Sequence, residues 1–280
     1  MLILVLMKKY LILLIIPLIG CVNANSQKLL AGDYRIFQGS KAWELAKAID
    51  NDDATEIKEI LTKDKKLVTV VDTMYGQTLL GLAVINLKYD AVKTLLELGA
   101  DPNAFNNYDG KTPMMETFYI GSRIPKTDTK YLVLLLRYGG NPNLLSKYVD
   151  YGPDPSTPLA IACNAGNFSA VKILIESGAD IKKNRSHVLF NALLSGNPDL
   201  VMYLLNKGIE YSKPMSPFYD GTKITVVDML RDWTFEIGSD DYKKKMEIVA
   251  FLKEHGIDYR SSKIPEKYYN LYSKEYLSKY

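Results

Sequence analysis

Thr157-Pro158-Leu159-Ala160-Ile161-Ala162-Cys163-Asn164-Ala165-Gly166-Asn167, continued by Phe168-Ser169-Ala170-Val171-Lys172-Ile173-Leu174-Ile175-Glu176-Ser177-Gly178-Ala179-Asp180, reads as two short helices folded back on each other. Thr157 offers a hydroxyl to cap a helix start, and Pro158 suits the first helical position, where no amide hydrogen is needed. Ala162 and Cys163 are small enough for neighbouring helix pairs to approach closely. Gly166-Asn167 makes the turn, and Val171, Leu174 and Ile175 recur at three- and four-residue spacing, which predicts a buried stripe on a second helix running from Phe168 to Ser177. Gly178 then takes the left-handed conformation that ends a helix at little cost.

The same unit is reused along the chain. Gly99-Ala100-Asp101-Pro102-Asn103, Gly139-Gly140-Asn141-Pro142-Asn143 and, more weakly, Gly208-Ile209-Glu210 and Gly256-Ile257-Asp258 each close another Leu/Val/Ile-rich amphipathic run. Thr78, Thr157 and His187 each lie 21 residues before the glycine that closes their unit. Residues 75–103 keep Gly76-Gln77-Thr78 and Val92-Lys93-Thr94-Leu95-Leu96, with Leu79 in the proline position. Residues 109–143 keep Thr112-Pro113-Met114 and Val133-Leu134-Leu135-Leu136 around an insertion. Thr225 to Leu230 with Met246 to Gly256 form an interrupted unit, and Ala48-Ile49 with Ile57 to Leu61 form a degenerate first one.

This pattern resembles the ankyrin repeat, whose units open on T-P-L-H-x-A. The resemblance covers about Lys41 to Asp258 and implies an all-α ankyrin-repeat solenoid of about six helix-turn-helix units. Degenerate ends fit that reading, because a terminal unit shows one face to water.

The N-terminus has a different character. Lys8 and Lys9 precede an apolar run from Tyr10 to Ile19, too short to cross a bilayer of roughly 30 Å, so a cleaved export signal is expected. Leu18-Ile19-Gly20-Cys21 resembles the lipobox of bacterial lipoproteins, which implies cutting after Gly20 and lipid attachment at Cys21; an ordinary secretory signal with an incidental cysteine is the alternative. Val22 stands where the lipoprotein sorting pattern needs Asp for inner-membrane retention, so the resemblance points to the outer membrane, with the protein body in the periplasm. Met7-Lys8-Lys9 begins a conventional signal by itself, and translation is expected to start at Met7. The organisation expected is therefore 1–20 signal peptide, 21–40 lipidated cysteine and tether, 41–258 repeat domain and 259–280 tyrosine-rich capping helix or tail.

Formal charge is +3, and removal of Lys8 and Lys9 leaves 33 basic against 32 acidic residues. A near-neutral, mixed-sign surface argues against nucleic acid as the main partner. With Cys21 lipidated only Cys163 remains, which excludes an intramolecular disulfide. Cys163 sits at a small core position, and His187 and His255 read as structural. No P-loop, G-x-S-x-G, H-E-x-x-H or C-x-x-C sequence is present, so no catalytic residue, metal or cofactor is expected.

In the ankyrin arrangement, loops before each first helix form fingers that, with the first helices, line a concave face where the family usually binds proteins. Carried onto this chain, the groove positions include Ile85, Asn86, Tyr119, Ile120, Asn164, Leu194, Asp232 and Trp233. Several are more apolar than a solvated face requires; the competing reading is that insertions fold back over them. Two enlarged fingers, Leu145 to Ser156 and Tyr211 to Lys223, add Tyr148, Tyr151, Asp154, Phe218 and Tyr219, of which some serve to pin the loops. Tyr268, Tyr272, Tyr276 and Tyr280 fall four apart, on one broad stripe if the tail is a single helix. It either caps the last unit or binds a partner. The expected function is a non-catalytic protein binder on the bacterial envelope, acting as an immunity protein that sequesters a toxin. An envelope scaffold or adaptor is the alternative, and an envelope hydrolase the reading from another class.

Overall fold

The computed structural model describes residues 29–119, 125, 128–147, 155–216, 218 and 220–280. Their helices are α1 (Trp43–Asp50), α2 (Ala54–Lys63), α3 (Leu79–Ile85), α4 (Tyr89–Glu97), α5 (Pro113–Glu116), α6 (Lys130–Arg137), α7 (Pro158–Asn164), α8 (Phe168–Glu176), α9 (Arg185–Leu194), α10 (Pro198–Asn206), α11 (Val226–Arg231), α12 (Asp240–Glu254) and α13 (Lys274–Lys279). Helices α1 to α12 form antiparallel pairs. The first helices pack in one row, α1 on α3 on α5 on α7 on α9 on α11, and the second helices form a row behind them. Isolated bridges at Val71/Thr78 and Met215/Ile224 pin the bases of two fingers, and no strand is present among the described residues. This is the all-α solenoid expected.

Local chemistry sets each unit. Thr78 accepts from the Gly81 amide at 2.9 Å and Thr157 from the Ala160 amide at 3.2 Å. Thr225 and Asp228 complete a reciprocal capping box. Where the helix rows approach, Ala83, Ala162 and Ala192 are fully buried beside Leu82, Leu159 and Leu189. Gly178 has φ +88°, a region that a β-carbon penalises.

The fifth first-helix, α9, departs from the spacing. His187 stands in the threonine position but lies inside α9, which begins at Arg185 behind Asn184 in a left-handed conformation (φ 56°). Imidazole is too long to cap its own helix start, so the finger shortens and the helix gains most of a turn at its N-terminus. Asn184 Oδ1 contacts His187 Nδ1, while Asn184 Nδ2 donates to the Pro155 carbonyl.

Both flanks of the repeat array depart from the expectation. Residues 29–40 were expected as tether, yet Tyr34–Phe37 forms a 3-10 turn, Phe37 is fully buried and Tyr34 stacks on Trp43 with ring centroids 5.5 Å apart. The reason is apolar burial: Phe37 covers the otherwise open side of α1. Residues 1–28, with Cys21 and the signal, lie outside the described residues. At the other end the tyrosines do not follow one helix. Glu266–Asn270 is a 3-10 turn, and Ser273 caps a separate α13. A continuous helix would hold Tyr268 and Tyr280 about 18 Å apart at 1.5 Å per residue. Instead their rings lie 5.9 Å apart, closing a cluster with Tyr272 and Tyr276.

Candidate functional site: a groove bounded by the chain's own ends

Side chains at the ends of the first helices and on the fingers line one face. In its middle, Tyr119 and Leu194 remain 49% and 57% exposed, and Asn164 is exposed between them. Rigid mountings hold these groups. The Lys111 ammonium, itself 2.8 Å from Asp109 Oδ2, lies 4.0 Å from the Tyr119 ring centroid. Asn191 Nδ2 donates to the Ala160 carbonyl at 3.0 Å, tying α9 to α7 beneath Asn164 and Leu194. Phe218 is exposed on its finger with its ring edge-on to Phe190 at 5.5 Å.

The ends of the groove are covered. At the front, Asn86 Nδ2 donates to the Gly32 carbonyl at 2.7 Å, and Ile85 is half-buried beneath Gly32. At the back, Trp233 is only 6% exposed, which corrects its assignment to the partner-binding surface. Its indole donates to the Leu193 carbonyl at 2.7 Å and its ring packs against Phe235, so it is core of the last unit. Asp232 is exposed but engaged, accepting from the Tyr268 hydroxyl at 2.9 Å and pairing with Lys267 at 3.1 Å. Covering of the groove is thus shared: the segment around Gly32 lies on Ile85 and Asn86, the tail engages Asp232, and Phe235, between α11 and α12, packs on Trp233. Ile120, Tyr148, Tyr151, Asp154 and Tyr219 lie outside the described residues.

Side-chain oxygens that accept from main-chain amides brace the fingers. Asp72 accepts from the amides of Met74, Tyr75 and Gln77. Asn106 Oδ1 accepts from those of Asp109 and Gly110, and the Asn107 amide donates to the Tyr75 carbonyl, linking adjacent fingers. Their tips expose Met74 and Tyr108. Sequence reasoning passed over both, although an apolar residue in an Asp- or Asn-initiated loop was the available signal. Tyr211 instead pins its finger, edge-on to Phe251 at 5.7 Å.

Between successive units runs an asparagine ladder. Asn103 donates to the Gly139 carbonyl at 3.0 Å and accepts from the Asn141 amide at 2.8 Å; Asn143 makes the same two contacts with Gly178 and Asp180, each at 2.8 Å. Residues 126–214 match the ankyrin-repeat family in three copies, and residues 75–104 match a further copy. The helices within these matched residues are ankyrin repeats. An ankyrin repeat protein of Acanthamoeba polyphaga mimivirus is 34% identical over 40% of this chain and 34% of its own length. A second from the same virus is 27% identical over 69% of this chain and 63% of its own length. Protein PhlB of Serratia liquefaciens is 29% identical over 60% of this chain and 68% of its own. The chain thus spans from a third to about two thirds of these relatives.

Ankyrin repeats are typically protein-interaction scaffolds. Burial pushes the Cys163 thiol well above its ordinary range, which disfavours the reactive thiolate. His255 is stacked on Phe251 at 4.3 Å. No group of three or more metal-ligating side chains and no helix long and apolar enough to cross a membrane occurs among the described residues. An open depression of about 380 Å³ between α4 and α6 carries Asp128, Lys130 and Arg137, with Lys130 already 3.4 Å from Asp128.

Proposed function

We propose that this chain is a non-catalytic ankyrin lipoprotein of the bacterial envelope that binds a protein partner, acting as an immunity protein against a toxin of the periplasm or its membranes. The observation that carries the binding reading is the open middle of the groove, where Tyr119, Leu194 and Phe218 stand exposed on braced mountings. Exposed aromatic and aliphatic groups fixed on a rigid frame are the usual anchors of a protein interface. Lys8-Lys9, the apolar run after them and Leu18-Ile19-Gly20-Cys21 support export and lipid attachment, and the likeness to a Serratia protein supports a bacterial setting. A lipid anchor would concentrate the binder where a toxin arrives.

Affinity capture of the full-length protein from solubilised envelopes tests this. One stoichiometric partner is expected, with Tyr119→Ala combined with Leu194→Ala weakening capture at least about tenfold and leaving the melting temperature nearly unchanged, since surface truncations cost little stability. Absence of a partner would overturn the binding reading. The anchor is tested separately: Cys21→Ser abolishes labelling by a fatty-acid analogue, and retained labelling would refute it.

A further inference from the structure

The front of the groove is filled by the chain itself. The Asp33 amide donates to the Leu30 carbonyl at 2.9 Å, closing a tight turn over residues 30–33. Two side chains hold it by its backbone: the Tyr75 hydroxyl, on the first finger, donates to the Leu29 carbonyl at 2.5 Å, and Asn86 Nδ2, at the end of α3, donates to the Gly32 carbonyl at 2.7 Å. Gly32 lies so close to the helix that a β-carbon there would come within 3.0 Å of Ile85 Cγ2. The turn brings little apolar anchorage of its own, since Leu30 is 74% exposed. The next residues are different: Asp33 caps the Tyr34–Phe37 turn, and Phe37 is fully buried. A weakly held segment therefore hangs from a firmly held one, with Asp33 between them.

We propose that residues 29–33 form an intramolecular plug, seated in a site that reads the main chain of a glycine-containing turn, and that displacing the plug opens Ile85 and Asn86 to a partner presenting such a turn. Both donors address carbonyl oxygens, so recognition is of backbone shape, and the close approach of Ile85 selects glycine at the third position of the turn. Two half-buried hydrogen bonds, each of modest net worth, hold the plug against water. Tethering makes up the difference, because a segment joined to its site through Asp33 competes at high effective concentration with any ligand arriving from solution. The plug extends the groove reading by setting which part of the face is open at rest: Tyr119 to Leu194 without displacement, Ile85 and Asn86 only with it.

The test uses the full chain. Gly32→Val crowds Ile85 and is expected to loosen the seated plug while leaving Tyr75 and Asn86 intact. A fluorescent synthetic peptide of residues 27–34, with its natural glycine, then binds this variant saturably, and binds the unaltered chain at least about tenfold more weakly because the tethered copy occupies the site. Adding Asn86→Ala to Gly32→Val removes peptide binding. Equal binding to all three proteins, or no binding to the Gly32→Val variant, would overturn the proposal. Tyr75→Phe combined with Asn86→Ala releases the plug without a steric clash, so it also covers the case in which valine perturbs folding. Exchange of the Asp33 amide then rises about tenfold on loss of the two hydrogen bonds, with α3 and α4 amides unchanged; an unaltered Asp33 rate would equally refute the plug. The proposal rests on the groove being the binding face. Capture of a partner that depends on Tyr119 and Leu194 leaves that reading standing whatever the peptide does.

Discussion

The interfaces at the middle and the back of the array are built differently. From Gly99 to Asp180 one asparagine per unit clamps the next unit by its backbone, giving and receiving one hydrogen bond across 35 to 38 residues. Past Asp180 the equivalent position is Lys182, the finger shortens and the clamp is gone. The last unit is instead closed from outside. Arg231 and Lys245 are both buried: the guanidinium donates to the main-chain oxygens of Tyr259, Ser262 and Tyr280, and the ammonium to the Trp233 carbonyl at 2.9 Å. The Tyr259 and Tyr280 rings cover both cations, with Arg231 3.9 Å from the Tyr259 centroid and Lys245 4.1 Å from that of Tyr280. A repeat copied from its neighbour is stabilised by a short motif copied with it. The last unit has a neighbouring repeat on one side only, and on the other it recruits distant chain, here over 49 residues from Arg231 to Tyr280. Buried cations are costly unless fully solvated by protein groups. The tail therefore cannot lift without uncovering both, and the last unit and tail behave as one cooperative piece.

Truncating the centre of that piece gives the largest effect. Trp233→Ala removes a buried indole and its hydrogen bond to Leu193, and costs about 3–5 kcal/mol. Urea unfolding followed by exchange of α11 to α13 amides checks this, with α3 to α8 much less affected. A loss below about 1 kcal/mol would mean that the indole is not core, because surface truncations stay in that range. The second effect is on pH dependence. Burial first, and Arg231 second, lower the Lys245 pKa from the ordinary lysine value of 10.5 to about 7. The unfolded chain therefore takes up this proton as pH falls through 10.5, while the folded chain does so only near 7. Stability of the last unit is highest at high pH, declines as pH falls towards 7 and levels off below it. The slope is at most about 1.4 kcal/mol per pH unit. Melting between pH 7 and 9 should show this rise with pH, and Lys245→Met should flatten it; an unchanged slope in the variant would assign the dependence to other groups.

What the sequence revealed follows the same divide. Thr78, Thr157 and Thr225 as caps, Gly99, Gly139 and Gly178 as terminators, and the alanines between helix pairs are decided within a few residues, and each is where the pattern put it. The groove was legible as a set of positions but not as an open or closed surface. Ile85 and Asp232 occupy the same first-helix end position as Tyr119 and Leu194, and the placement of residues 29–33 and 259–280 separates the engaged positions from the open ones. That placement rests on contacts spanning 54 residues for Asn86 to Gly32 and 36 for Tyr268 to Asp232. No local periodicity encodes such pairings. The four-residue tyrosine spacing even suggested a single helix, because stripe and closed cluster begin from the same spacing until Ser273 restarts the helix.

The smallest effect is the most direct test of the contrast between copied and recruited interfaces. Asn143→Ala deletes the contacts to the Gly178 carbonyl and the Asp180 amide, both 2.8 Å, while leaving the Asn143 carbonyl free to keep its bond from Lys183 Nζ. The two groups it abandons are exposed, so water replaces part of what is lost, and the cost is about 1–2 kcal/mol rather than the penalty of burying them unpaired. Asn103→Ala should cost the same, since it makes the same pair of contacts. Lys182→Ala, at the equivalent position one unit later, should stay within about 0.5 kcal/mol because no clamp exists there to lose. The three variants share finger position and the alanine introduced, with Lys182 the more exposed of the three sites. Equal losses at Asn143 and Lys182 would place the cohesion of the middle units in helix packing alone, and the asparagines would then be a consequence of the stacking rather than a cause of it.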